Sequence, residues 1–146
     1  MPVERWPSSG AGRCRTVAYG GLVWTVANAT DASAPFDVQV SQSLQMLEAH
    51  LQEAGSARSH LLSLQVILAD IANRAAFDVQ WQAWIGADPA HWPQRACFQS
   101  GLATGLQVEL VAVAAPVFAE QWLAAPDGRQ ARESEHESTR PPAGTD

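Results

Sequence analysis

The stretch from Leu106 to Ala114 places the strongest constraint on what this chain can fold into. Successive side chains of a β-strand point to opposite faces. One face here carries Leu106, Val108, Leu110 and Ala112, and the other carries Gln107, Glu109, Val111 and Val113. Glu109 is the one ionisable residue in this nearly all-apolar run. Because such a strand is typical of one buried on both faces, we expect protein on each side of it.

The N-terminal half predicts a β-hairpin followed by a helix. Gly20 and Gly21 separate two strand-like runs, 16–19 and 22–26, and glycine supplies the positive φ angles that a tight hairpin turn requires. Pro35 is tolerated in the first turn of a helix, and Gly55 ends it. The apolar residues between them recur at spacings of four, three and four, which marks one helix face: Val40, Leu44, Leu47 and Leu51.

A strand, a second helix and two closing strands complete the predicted elements. The strand alternates apolar and polar residues, with Leu62, Leu64, Val66 and Leu68 on one face. The helix covers 71–85, and its aromatic ridge of Phe77, Trp81 and Trp84 is more typical of core than of a ligand box. The closing strands are 95–100 and 106–114, joined by 101–105.

This ββαβαββ order predicts an α+β domain in which two helices pack on one face of a mixed sheet. We expect the domain to span residues 13–125. Residues 1–12 contain proline, serine and glycine, which predicts a loose N-terminal arm with Trp6 as its anchor. Residues 126–146 contain almost no large apolar side chains, which predicts a disordered tail.

Composition narrows the class of protein. A length of 146 residues with 47% hydrophobic residues suits one domain with a real core. The formal net charge of −6 argues against a general nucleic-acid binder, which needs a basic track. Since no apolar run is long enough for a bilayer and the N-terminus lacks a signal core, we expect a cytoplasmic protein without a membrane partner. The cysteines Cys14 and Cys97 and the four histidines show no disulfide framework or metal-ligand spacing, so no metal is expected.

Glu109 and Arg95 are the charged residues least easily explained as surface residues. A carboxylate in so apolar a strand must be paired, hydrogen-bonded or protonated, because an isolated buried charge is very costly. Arg95 opens the neighbouring strand, and its planar guanidinium matches a carboxylate. Two interpretations stay open: the residues form a structural ion pair with each other, or they act on a ligand.

Other candidates carry weaker signals. No histidine shows a triad-like relation to Cys97, so a small buried thiol is favoured over a nucleophile. Trp92 lies in a proline-flanked loop and is the tryptophan best placed for a pocket rim. Arg13 and Arg15 suit solvated or interface positions.

Several segments together resemble the RidA/YjgF family of small trimeric proteins. They are the hairpin signature Gly20–Trp24, the central strand 60–70, the pair Trp81–Trp84 and Pro93–Cys97 with its Pro-x-Arg motif, and the closing segment 102–110 with its Val-Glu-Ile-like Val108-Glu109-Leu110. The similarity covers about residues 13–115, and its specificity lies in the order and spacing of the motifs. The Trp-rich helix and Arg13 resemble a divergent branch.

The resemblance implies a chorismate-mutase-like fold and a homotrimer with active sites in the clefts between subunits. It also implies hydrolysis of reactive 2-imino acids to 2-keto acids and ammonia, without a cofactor. Arg95 would grip the substrate carboxylate, and Glu109 would hold and polarise the attacking water. A protonated imine carbon is already electrophilic, so orientation and modest proton transfer suffice. The other implied substrate-binding positions are Arg13, Trp24, Val26, Ala27, Asp78, Trp92 and Cys97.

The chain also departs from the family's pattern. Arg13 replaces a common tyrosine, Val26-Ala27 replaces a Ser-Gly pair, and Asp78 replaces an asparagine. These changes leave the substrate open, and Arg13 suggests a dicarboxylate. The alternative function is a non-catalytic module that binds or senses a small carboxylate in the same pocket. A ribonuclease, an activity attached to the family, is disfavoured by the acidic charge.

Overall fold

The computed structural model describes residues 2–117 and confirms the predicted order of elements, with one strand added at the start. The elements are β1 (Glu4–Pro7), β2 (Cys14–Tyr19), β3 (Leu22–Asn28), α1 (Phe36–Glu53), β4 (Leu61–Leu68), α2 (Arg74–Ile85), β5 (Gln94–Gln99) and β6 (Val108–Ala114). The predicted tail, 126–146, and the end of the predicted domain, 118–125, lie outside the described residues.

The strands of the described part form one mixed sheet in the order β1-β2-β3-β6-β4-β5. All neighbours are antiparallel except β4 and β5, which are parallel. Both helices pack on one face, where they enclose a core that includes Leu47, Leu64, Phe77 and Leu110. The apolar strand β6 therefore lies inside the sheet, between β3 and β4.

The opposite face of the sheet, here called the open face, has no helix over it. It presents outward side chains of β3, β4, β5 and β6: Trp24, Val26, Asn28, Ile67, Phe98, Glu109, Val111 and Val113. We expected protein on both faces of β6. Within the described chain, the helices cover one of these faces, and the other is the open face. Trp24, Val26 and Phe98 are each about two-fifths exposed, at 41%, 38% and 41%.

Glycine chemistry explains where two predicted elements turn or end. Gly20 and Gly21 adopt φ angles of 60° and 80°, which confirms the tight hairpin turn between β2 and β3. At the end of α1, Gly55 adopts a φ of 77°. The Ser56 N–H then donates to the Leu51 carbonyl at 2.7 Å, which satisfies one of the last free carbonyls of the helix.

Two expectations about local structure are wrong. Residues 4–7, expected in a loose arm, form the edge strand β1 because their backbone pairs with β2, as in Trp6 opposite Thr16. Leu62, expected on the buried face of its strand, is 47% exposed. The pairing with β6 shifts register between Leu61 and Ser63, and Leu61 is buried instead.

A buried amide that the sequence pattern did not reveal fixes the loop before β6. The fully buried Gln39 side chain donates to the carbonyls of Ala34 and Gly105, each at 3.0 Å, and to that of Ala32 at 3.3 Å. Its carbonyl accepts the Gln107 N–H at 2.9 Å. One side chain thereby joins the start of α1 to the residues that lead into β6.

Candidate active site on two faces of one sheet

Arg95 lies on the helix-covered side of the edge strand β5. It is in register with buried Leu64 of β4, and Asp78 of α2 contacts it. Arg95 Nη1 lies 2.7 Å from Asp78 Oδ1, with the two side chains 18% and 28% exposed. No hydrogen bond satisfies this carboxylate oxygen in the described chain. The contact is therefore an ion pair in which the guanidinium N–H bonds are not directed at the oxygen.

The guanidinium of Arg95 also contacts two aromatic rings of α2. Arg95 Cζ lies 5.6 Å from the centroid of Phe77 and 5.9 Å from that of Trp81. Aromatic faces attract a cation at such distances, so the rings stabilise the charged arginine and limit its movement. Phe77 and Trp81 are buried, which confirms that the aromatic ridge belongs to the core.

Cys97 follows two residues later on the same side of β5 and is half-buried. Burial raises the pKa of the Cys97 thiol, the positive charges of Arg95 and Arg74 oppose this rise, and the charge of Asp78 adds to it. The neutral thiol therefore prevails near pH 7, which supports a small packed thiol over a nucleophile.

Glu109 lies on the open face, in the middle of β6. Its cross-strand neighbours are Asn28 of β3 and Ile67 of β4. The Asn28 side-chain amide donates to Glu109 Oε1 at a long 3.4 Å. Asn28 was missed in the sequence, because only the register of β3 against β6 places it beside the carboxylate.

Arg95 and Glu109 therefore project from opposite faces of the sheet. The interpretation that they form a structural ion pair with each other is wrong, since Arg95 pairs with Asp78 and Glu109 with Asn28. The sheet itself separates the guanidinium from the carboxylate. Within the described chain, the two groups are therefore not presented on the same face of the sheet.

Val26 and Ala27, the two residues that depart from the Ser-Gly pattern, lie on opposite faces of the sheet. Val26 lies on the open face opposite Val111, and Trp24 lies beside it opposite Val113. Ala27 is fully buried on the helix side, so its side chain is not available to a ligand. The structure thus groups Trp24 and Val26 with Glu109, and Asp78 and Cys97 with Arg95.

The two remaining candidates lie outside both groups of contacts. Trp92 is 54% exposed, and its indole N–H donates to the Gly86 carbonyl at 2.9 Å. Arg13 is exposed, and its guanidinium lies against Gly10 in the turn before β2. Among residues 2–117, no three histidine, cysteine or acidic side chains are placed to share a metal ion, and no helix is long and apolar enough to span a bilayer.

Comparison with known proteins places the chain in a family. The family model described as endoribonuclease L-PSP matches residues 10–116. The RutC family protein YoaB of Escherichia coli is 36% identical over 78 residues, which are 53% of this chain and 67% of YoaB. The chain belongs to the endoribonuclease L-PSP family, the RidA/YjgF family that its motifs resemble.

Solved structures agree with this assignment. An uncharacterised protein from Pseudomonas aeruginosa is 28% identical with a TM-score of 0.71, over 79% of this chain and 99% of that protein. A YjgF-family member from Neisseria meningitidis has the same TM-score at 23% identity, over 80% of this chain and 96% of its own, and it shows likeness of fold alone.

Proposed function

We propose that this protein hydrolyses small 2-imino acids to 2-keto acids and ammonia in clefts between the subunits of a homotrimer. The observation that carries this proposal is the placement of Arg95 and Glu109, a guanidinium and a carboxylate on opposite faces of the sheet of a RidA/YjgF-family chain. Hydrolysis of a small acid at an electrophilic carbon needs a cation that binds the acid's carboxylate and a base that holds the attacking water.

Association of copies through the open face supports this arrangement. Trp24, Val26 and Phe98 leave a large apolar area exposed on that face, and such areas mark interaction sites. Glu109 lies within it. A neighbouring subunit packed against the open face can bring its own Arg95 towards this Glu109, which one chain cannot do.

Each residue then has a defined part in the reaction. Arg95 binds the substrate carboxylate, and Glu109 holds a water and accepts its proton as the water oxygen bonds to the imine carbon. The proton passes to the nitrogen of the resulting carbinolamine. Glu109 then takes the hydroxyl proton as the carbon–nitrogen bond breaks, so ammonia leaves and the carbonyl of the keto acid forms. Asn28 orients the Glu109 carboxylate from the adjacent strand.

The first experiment generates 2-imino acids with an amino-acid oxidase and traps the remainder with semicarbazide. Wild type is expected to suppress trapping. Arg95→Ala is expected to lower kcat/KM about 10- to 100-fold, because a charged hydrogen bond to the substrate is lost. Arg5→Ala, at the far edge strand, is the matched control and should match wild type. Inactive wild type across small, aromatic and acidic imines would overturn the proposal.

A mixing experiment tests whether subunits share the site. Arg95→Ala and Glu109→Gln subunits, whose activities are first measured separately, are unfolded together and refolded as mixed trimers. If each site takes Arg95 from one subunit and Glu109 from its neighbour, about a quarter of the sites in a 1:1 mixture contain both intact groups. Recovered activity supports a shared site, and no recovery in verified mixed trimers contradicts it.

The alternative function is a non-catalytic module that binds a small carboxylate at the same interface. Val26 favours it, since a methyl-bearing side chain lies on the open face where the family has a serine. A binding module would show ligand-induced thermal stabilisation by keto acids that Arg95→Ala abolishes, without any acceleration of imine hydrolysis.

A further inference from the structure

We infer that Asp78 makes the Arg95 site selective for zwitterionic acids, which carry a cationic nitrogen next to the carboxylate, over simple carboxylate anions. This inference rests on the proposed function and names the charge state of the ligand it would take. The observation behind it is the Arg95–Asp78 ion pair at 2.7 Å.

The ion pair changes what a ligand meets at Arg95. A lone guanidinium attracts any carboxylate. Here an acidic side chain at 2.7 Å offsets that charge and repels an incoming anion. Both side chains are partly buried, at 18% and 28% exposure, so bulk water screens them less than it screens surface charges.

The directions of the polar groups leave both partners able to bind a ligand. The guanidinium N–H bonds are not directed at Asp78 Oδ1, so they remain available to donate to a ligand carboxylate. Asp78 Oδ1 is buried and has no directed hydrogen-bond donor within the described chain, so a ligand N–H would meet the carboxylate through its other oxygen. A ligand that brings both a carboxylate and an N–H cation satisfies the two protein groups together.

Neighbouring groups hold the pair in place. The Phe77 and Trp81 rings attract the Arg95 cation, which favours its position beside Asp78. Arg74 begins α2 one turn before Asp78, and its charge acts on Cys97 together with that of Arg95. The cluster thus contains two cations, which attract the ligand carboxylate, and one anion, Asp78, which is the group that can attract a cationic nitrogen.

A 2-iminium acid matches this pattern, because its cationic nitrogen and its carboxylate are on adjacent carbons. Hydrolysis removes the cation, and the product keto acid is a simple anion. Asp78 would therefore favour the substrate and disfavour the product at the same site, which promotes product release.

The test compares two stable ligands with the same side chain, alanine as the zwitterion and pyruvate as the anion. Their dissociation constants are measured by calorimetry with the full-length protein, wild type and Asp78→Asn. Wild type is expected to bind alanine several-fold tighter than pyruvate. Asp78→Asn should shift the ratio of the two constants about tenfold or more towards pyruvate. Glu4→Gln, at the opposite edge of the sheet, makes the same change in net charge and should leave the ratio unchanged.

The outcomes separate this inference from the proposed function. Binding of both ligands with an unchanged ratio in folded Asp78→Asn overturns the role of Asp78 alone. Wild type that prefers pyruvate overturns it as well, even if the variant does not fold. Wild type that binds neither ligand overturns the carboxylate site at Arg95 and this inference with it.

Discussion

His50 shows how a single buried polar residue can set a pH dependence of stability. It lies near the end of α1 and is 7% exposed, with Nδ1 3.0 Å from Thr25 Oγ1, which in turn lies 2.8 Å from Thr16 Oγ1. Burial and the charge of Arg15 lower the pKa of His50, and Glu53 and the Val26 carbonyl oppose this in part. The fold therefore favours the neutral ring.

We predict that acid destabilises the protein through His50. The unfolded chain binds a proton near the ordinary pKa of 6.5, and the folded chain only at lower pH. The contribution is thus full above pH 6.5 and is lost as pH falls through the lower folded pKa. Urea unfolding at pH 7.5 and 5.5 should show a smaller loss of stability for His50→Gln than for wild type. The exposed His91→Gln should keep the wild-type loss, and an equal loss in His50→Gln would contradict the assignment.

Gln39 predicts a second effect at the residue scale. Gln39→Leu leaves the carbonyls of Ala34 and Gly105 and the N–H of Gln107 without their partner in the core. Each unsatisfied buried group costs about 1–3 kcal/mol, so we expect a loss of at least about 2 kcal/mol in the free energy of unfolding. The exposed Gln45→Leu on the same helix is the control for denaturant unfolding. Equal stability of the two variants would contradict this role.

At the scale of elements, the loop between β5 and β6 depends on close approach to the loop after β3. Gly105 has a φ of 85°, and a Cβ there would lie 2.6 Å from the Ala32 carbonyl oxygen. This packing places the start of β6 and therefore Glu109. Sequence periodicity located both strands, but it did not indicate that this loop touches the residues before α1.

We predict that Gly105→Ala destabilises the fold by about 1–3 kcal/mol, because alanine is strained at this φ and collides with backbone. Gly101→Ala in the same loop is the matched control, since a Cβ there meets nothing within 4 Å. Thermal unfolding of the two variants measures the difference. Equal midpoints would show that the loop moves freely and does not position β6.

At the scale of the whole molecule, the open face is the surface through which we propose that copies of the chain associate. It combines exposed Trp24, Val26 and Phe98 with the carboxylate of Glu109. Burial of such a surface by other copies is favourable, at roughly 25 cal/mol per Å² of apolar area. The proposed trimer and the proposed activity therefore depend on the same face.

We predict that Val111→Asp prevents the proposed assembly and abolishes the proposed deaminase activity while the chain stays folded. Val111 lies in the middle of the open face, opposite Val26, where a charge opposes association. Val79→Asp is the matched control, because Val79 on α2 is 72% exposed. Sedimentation velocity reports the assembly and circular dichroism the fold. A trimeric, active Val111→Asp would show that the open face is not the interface.

The sequence by itself determined the local elements and the two charged residues that stand out from them. Hydrophobic periodicity and glycine chemistry act over a few residues, so the hairpin, both helices and the strands 62–68, 95–100 and 106–114 were predictable to within a few residues. Arg95 and Glu109 were identifiable as site candidates because charge interrupts an apolar pattern there.

Only the tertiary structure decided how those residues meet. Alternation tells which residues of one strand share a face, but the face that aligns with a neighbouring strand depends on strand order and register, which pair residues far apart in the chain. That is why Arg95 was found beside Asp78, Glu109 beside Asn28, and the two on opposite sides of the sheet. Gln39 escaped prediction for the same reason, since its partners come from two segments far apart in the chain, 32–34 and 105–107.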